Sequence, residues 1–462
     1  MIDERLAGKV LDTALVSGGD FSELYMEDTE SHSIAFQQGG VENASYSRAS
    51  GAGVRVLKGA KSAYAYTADT GEAALIATAK AAAAALDGDR EAEPAAFSIF
   101  RREAREAKIP FSTVDNAARI KLLREAEGAA RGVSSEITQV TARYLDVDQR
   151  ITVCNSMGVW GEDRRPRGRL MVSAIAMKDT DAQQGFWAPG RGEGFETFLN
   201  VNAAEAGRIA ANTAVTMLHA PQCPAGSMPV VIDGGFGGVI LHEACVHSLE
   251  ATSVAKGNSE FCGRLGEKIA SDIVTAVDDG TMPGEWGSIH IDDEGTPSQR
   301  NVLIENGVLK SYLVDLIGSR IMGQPLTGSS RRQGYEYAPT SRMTNTFFAP
   351  GKDDEEEMLR TMGEGLYAKK MGGGSVNPLT GEFNFSVDEG YYVKDGKIFC
   401  PVRGATLIGR GAEVLMKIDR IGKNMWMGQG MCGSLSGSVP TNVGQPRIRV
   451  TGITVGGKGG AL

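Results

Sequence analysis

Residues 234–250 read Gly234-Gly235-Phe236-Gly237-Gly238-Val239-Ile240-Leu241-His242-Glu243-Ala244-Cys245-Val246-His247-Ser248-Leu249-Glu250. A glycine-rich turn gives way to an apolar run that begins a helix. Residues 229–232, just before it, read as a short buried strand, so the unit is strand, glycine turn, helix. Two of the five histidines of the chain fall in this helix, with a glutamate beside the first. Imidazoles suit zinc, and a catalytic zinc site needs three protein ligands and one open position. The familiar zinc-peptidase helix spaces its two histidines by four residues, which puts both on one face. Here the spacing is five. At roughly 100° per residue the two side chains diverge by about 140° on an ideal helix. Plain α geometry therefore argues against shared ligation, and a single π-bulge would bring the rings back toward one side. Glu243 is the residue type that takes a proton from water at such a metal and passes it to a leaving amine. Spacing does not choose the third ligand from the other His and Cys residues and the 57 acidic ones.

Upstream of this unit, residues 3–17 place Leu6, Val10, Leu11, Ala14 and Leu15 on one side of a helix. Short alternating segments at 21–26, 33–36 and 53–57 read as antiparallel strands, and 73–86 and 115–131 as packed helices. Strands follow at 136–145, 149–154 and 168–176, then a helix over 197–218. Cys223-Pro224-Ala225-Gly226 breaks the pattern. We therefore expect an N-terminal α+β domain over 1–222 and a C-terminal domain over 223–462. The second half is rich in turn signals. Asn306-Gly307 and Asp395-Gly396 each lie between apolar runs and mark hairpins. The fold class is α+β, two domains with extensive antiparallel sheet.

Composition narrows the function. At 462 residues the chain is too long for one core. The net charge of −9 argues against a nucleic-acid partner, because neutralising phosphates takes the opposite sign. Six cysteines lie far apart with no CxxC pair, which fits a reducing, cytoplasmic setting. Asp3, Glu4, Arg5 and Lys9 interrupt the N-terminal apolar residues, so no signal peptide is expected. No apolar stretch approaches the roughly 18 residues of a membrane span. The Gly372-Gly373-Gly374 run lacks the Lys-Ser/Thr and the strand-to-helix frame of a phosphate loop. Arg331, Arg332 and Arg342 are candidates to hold a peptide carboxylate, with structural ion pairing as the favoured reading. Asp278, Asp279, Asp292 and Asp293 read as turn formers, and His32, His219, His290 and Cys245 as structural residues.

Several long blocks carry a resemblance. They are 235–250, Val277-Asp278-Asp279-Gly280, 291–297, 301–310, Arg342-Met343-Thr344-Asn345-Thr346, 402–409 and Val443-Gly444-Gln445-Pro446. Together they resemble the TldD branch of the TldD/PmbA family, once labelled modulator of DNA gyrase. The resemblance implies an HExxxH motif filled by His242, Glu243 and His247. It implies a third metal ligand at Cys432, in the glycine-rich stretch before the Val-Gly-Gln-Pro block. One divalent metal per chain follows, with zinc favoured and iron the alternative. The implied activity is hydrolysis of unfolded or short peptides, leader peptides among them, with Glu243 as general base. The implied assembly is a dimer around an enclosed cavity, either of two copies or with a TldE/PmbA-type subunit. Two departures stand out: Val246 and Ser248 flank the second histidine where the family has glycine, and Ala251-Thr252 replaces a Gly-Asp pair. They sustain a second expectation, a non-catalytic peptide-binding or partner-stabilising subunit. Glu250 is a candidate to orient a ligand histidine.

Overall fold

The computed structural model describes residues 2–86, 88–103 and 106–460. Its first half is built on one long ribbon. Phe21–Gln37 and Gly40–Lys58 run 17 and 19 residues without a break. Gln38 and Gly39 join them, both at positive φ (52° and 79°), as a tight hairpin between twisted strands requires. The sequence reading cut the first of these strands into pieces. It stays whole because Gly40–Lys58 and Ile137–Asn155 satisfy its backbone on both sides. Likewise the expected strands at 136–145 and 149–154 are the single strand Ile137–Asn155. The sheet runs in the order Lys61–Thr67, Gly40–Lys58, Phe21–Gln37, Ile137–Asn155, Val159–Lys178, Ile99–Glu103, with Asp181–Trp187 and Gly190–Arg191 also pairing to Val159–Lys178.

Side chains alternate across a strand, and here the two faces have separate tasks. Leu24, Ile34 and Phe36 face the helices. Glu4–Ala14 and Glu72–Ala83 cover one end through Val10, Leu11, Leu75 and Ala79. Asn116–Arg131 and Ala203–Leu218 cover the other through Leu123, Ala126, Ala210 and Ala214. The expected helix over 197–218 is two pieces, because Asn202 stops the first and caps the second by accepting from the Glu205 N–H. The opposite face, with Phe21, Glu23 and Tyr25, is buried against the second half of the chain through Leu316 and Tyr335.

That seam is charged. Arg55 donates to Glu23 at 2.8 Å and to Glu294 at 2.6 Å. Arg332 reaches Glu23 at 2.6 Å, and Arg165 bridges Asp163 and Asp293 at 2.9 and 2.8 Å. The expectation for the aspartates needs correcting. Asp279 and Asp292 do close turns, but Asp278, Asp279, Asp292 and Asp293 are all buried and act as anchors for backbone N–H groups and arginines. Arg331 and Arg332 are structural, bound to carbonyls and carboxylates of the chain itself.

Ala203–Leu218 ends where the chain leaves the first sheet, and Gly226–Ile232 opens the second half. There, strand pairings close in a ring: Gly365–Asn377, Gly226–Ile232, Ile448–Gly456, Thr406–Arg410, Glu382–Lys394 and back to Gly365–Asn377. Beside it lies a six-stranded sheet in the order Val308–Leu309, Arg300–Glu305, Ala276–Asp279, Asn345–Phe348, Gly437–Gln445, Trp426–Ser434. Asn306-Gly307 and Asp395-Gly396 form the two anticipated hairpin turns, all four residues at positive φ. The fold is mixed α and β with extensive antiparallel sheet, as the sequence indicated. No helix among the described residues is long and apolar enough to cross a membrane.

Candidate metal centre

The glycine-rich turn seats a short helix on the six-stranded sheet. A Cβ on Gly238 would lie 2.5 Å from the backbone nitrogen of Gly444, so only glycine allows this approach. Gly235 holds φ at +71°. The helix Val239–Ala244 then runs six residues, with Val239, Ile240, Leu241 and Ala244 buried in the main core of the second half. The rings are brought together by a helix break and not by a π-bulge. Cys245, at φ −136° and ψ −57°, ends the α-helix, and Val246–Leu249 continues as a 3-10 turn. This break resets the rotation that a continuous helix would impose. The His242 and His247 rings come within 4.9 Å of each other, centre to centre, at 84°.

Cys432 comes from Trp426–Ser434, an outermost strand of that sheet. Its sulfur lies 3.3 Å from Nε2 of His242 and 3.3 Å from Nε2 of His247. Tetrahedral ligands 2.0–2.3 Å from one zinc ion stand roughly 3.3–3.6 Å apart, so the spacing fits. Among the described residues this is the one group of three or more His, Cys, Asp or Glu side chains arranged to hold a metal ion. The donor set of two imidazoles and a sulfur is chemically consistent with zinc. Burial opposes ionisation of the Cys432 thiol, but the imidazoles, His242 first, outweigh it and bring its pKa down to about 4. Burial likewise opposes charge on His247, yet Glu250 and the Cys432 sulfur push its pKa well above the ordinary value.

The remaining edges are occupied. Oε2 of Glu250 lies 3.3 Å from Nδ1 of His247, the ring edge turned away from the sulfur. Nδ1 of His242 is 3.4 Å from the Thr346 hydroxyl. Arg342, fully buried, donates through Nη2 to the Cys432 carbonyl and through Nη1 to the Gly437 carbonyl at 2.9 Å. Glu243 differs from all of these. Its Oε2 lies 3.7 Å from Nε2 of His247, on the side of the ring that faces the sulfur.

Other sequence candidates lie elsewhere or play structural parts. Cys245 is fully buried in the core, where burial pushes its thiol pKa up. His32 pairs with Asp146 at 2.8 Å and His219 with Glu136 at 2.9 Å, both in the first half. The His290 N–H donates to Asp163 at 3.1 Å. Val246 is fully buried, and the Ser248 hydroxyl donates to the Pro378 carbonyl at 3.1 Å, so both departures are packed into the surrounding structure. Sequence reasoning gave no role to Thr346. Its position in the block 342–346 was the available signal.

Three family models match in succession: PmbA/TldA metallopeptidase domain 1 over residues 22–86, the central domain over 109–218 and the C-terminal domain over 225–457. The metalloprotease TldD homolog of Haemophilus influenzae is 36% identical over 448 residues, covering 95% of this chain and 93% of its own. A metalloprotease of Methanothermobacter thermautotrophicus is 32% identical over 441 residues, with 95% and 96% covered. In fold, the chain is similar to a putative modulator of DNA gyrase from Thermotoga maritima, with TM-score 0.77, 23% identity, and 94% and 96% of the two chains covered. It is also similar to TldE from Thermococcus kodakarensis, with TM-score 0.78, 17% identity, and 98% and 99% covered.

Proposed function

The chain belongs to the PmbA/TldD metallopeptidase family, and from that premise we propose that it hydrolyses unfolded or short peptides with one divalent ion held by His242, His247 and Cys432. The observation that carries this reading is the convergence of two Nε2 atoms on one sulfur, each at 3.3 Å. A bound ion here would polarise a scissile carbonyl and make water acidic enough to attack near neutral pH. Two imidazoles and a thiolate favour zinc, with iron the alternative.

The residues of the chain supply the rest. Glu243 takes the proton of the attacking water and returns it to the leaving amine, which its place beside Nε2 of His247 supports. Glu250 cannot do this from the far edge of the ring, and it orients His247 instead. Thr346 steadies His242, its hydroxyl lying 3.4 Å from both Nδ1 and the Asn442 carbonyl.

The reading extends to setting and assembly. All six cysteines are free, which supports a reducing cytoplasm. The proposed assembly is a dimer, either of two copies or with a TldE-type subunit, a protein whose fold this chain resembles. Elemental analysis and anomalous scattering on protein purified without chelators test the core of the proposal. One ion per chain, bound by two nitrogens and one sulfur, is expected. Metal-free protein that takes up no ion on titration would leave a peptide-binding subunit as the better account.

A further inference from the structure

Arg342 is a buried cation whose donors fan out over the metal centre. Nη2 holds the carbonyl of Cys432. Nη1 holds the Gly437 carbonyl and the Ser436 hydroxyl at 2.9 and 3.1 Å, so both ends of the turn after Cys432 are gripped. The third donor, Nε, points at Oε1 of Glu250 across 3.7 Å. That separation is too long for a hydrogen bond, and both atoms are buried with no other partner. The two groups are thus a buried ion pair without a hydrogen bond along that edge. The other oxygen of the same carboxylate lies 3.3 Å from Nδ1 of His247.

We infer that Arg342 is the positioning residue of the centre: it couples the strand that carries Cys432 to the carboxylate that orients His247. The inference rests on the metal reading above. Its physical content is a relay between ligands from opposite sides of the site. Cys432 would reach the ion from an edge strand, paired along one side only. His247 sits on a 3-10 turn four residues long. The two elements are not paired with each other, and a planar guanidinium with donors fixed in a fork can hold both at one spacing. Lysine, a point charge on a flexible stem, keeps the charge and loses the fork.

The test measures affinity for cobalt(II) in wild type, Arg342→Lys, Glu250→Gln and the double variant, by competition with a chromophoric chelator. The sulfur-to-cobalt charge-transfer band is recorded alongside, and thermal unfolding of the metal-free proteins separates folding from binding. Each single change should weaken affinity roughly ten- to hundredfold, the usual effect of removing a partner behind a metal ligand. The double variant should be no weaker than the weaker single, because both changes cut one relay. Losses that multiply, or affinities equal to wild type, overturn the inference and leave the metal reading standing. Wild-type protein that binds no cobalt overturns both. Should Arg342→Lys fail to fold, Glu250→Gln decides alone: an unchanged affinity and band sink the relay.

Discussion

Oε2 of Glu243 lies 3.7 Å from Nε2 of His247, the nitrogen that also faces the Cys432 sulfur, whereas Glu250 approaches the same ring from Nδ1. Two carboxylates thus flank one imidazole and are sorted by edge. In the proposed mechanism the one on the sulfur side is the base and the one behind orients the ring. Glu243→Gln should therefore keep the ion and lose roughly 10²- to 10⁴-fold in peptide hydrolysis, the usual contribution of a general base. Metal content and cleavage of an unstructured peptide are the paired measurements. Full activity in the variant would remove Glu243 from the mechanism.

On the proposed reading, burial of His242 and Cys432 ties metal to stability. His242 is 3% exposed and Cys432 6%. An ion that binds the folded chain alone stabilises it by about 4 kcal/mol at a thousand times its dissociation constant. Chelator-treated protein should melt at a lower temperature and recover on adding zinc. Cys432→Ala should abolish that recovery, since two imidazoles alone make a weak site. A melting temperature indifferent to chelator and zinc would argue against a resident ion.

The legible parts of the molecule were those whose cause is local. Asn306-Gly307 and Asp395-Gly396 announce hairpins because two consecutive positive φ angles demand such residues. His242, Glu243 and His247 stand within one short segment. Cys432 lies 190 residues from His242, and only resemblance to a family pointed to it. The form of the turn that brings the histidines together was not legible, because nothing in Ala244-Cys245-Val246 distinguishes a 3-10 break from a bulge. The long strand Phe21–Gln37 was read in pieces because residues 27–32 include no apolar side chain, and its buried residues include Glu23 and Glu27, against the expected polar-outward alternation. Those charges are buried because their partners come from far along the chain. Arg332 is 309 residues from Glu23, and Asp293 is 128 from Arg165. Arg342 and Thr346 were obscure for the same reason.

The charged seam should give stability a distinct pH dependence. Burial raises the Glu294 carboxyl to about 7, and Asp315 and Glu23 add to the rise against the pull of Arg55. An acid whose folded pKa lies above its unfolded value binds its proton more tightly when folded. Its stabilising contribution is complete below about pH 4.5 and is lost as pH rises through 7. Relative to Glu294→Gln, wild type should lose up to about 3 kcal/mol across that window. Denaturant midpoints of the two proteins from pH 4.5 to 8 check this. Curves that stay parallel would mean Glu294 is ionised throughout, held by Arg55.

The seat of the His242 helix makes the sharpest steric prediction. A Cβ on Gly238 would meet the nitrogen, carbonyl carbon and oxygen of Gly444 at 2.5–2.7 Å, all backbone of a paired strand. A side chain could swing aside, but this strand is held by Trp426–Ser434 on one edge and Asn345–Phe348 on the other. The helix must move instead, and it carries His242 with it. Gly238→Ala should cost on the order of 1–3 kcal/mol, as overpacking does. It should also weaken metal binding, because the sulfur on the neighbouring strand stays in place while the imidazole shifts. Gly128→Ala is the counterpart. Gly128 lies within the helix Asn116–Arg131 with open space where its Cβ would be, so alanine there should stabilise by about 0.5–1 kcal/mol and leave metal uptake untouched. If Gly238→Ala binds metal as tightly as Gly128→Ala, the close approach of helix and strand does not set the position of His242.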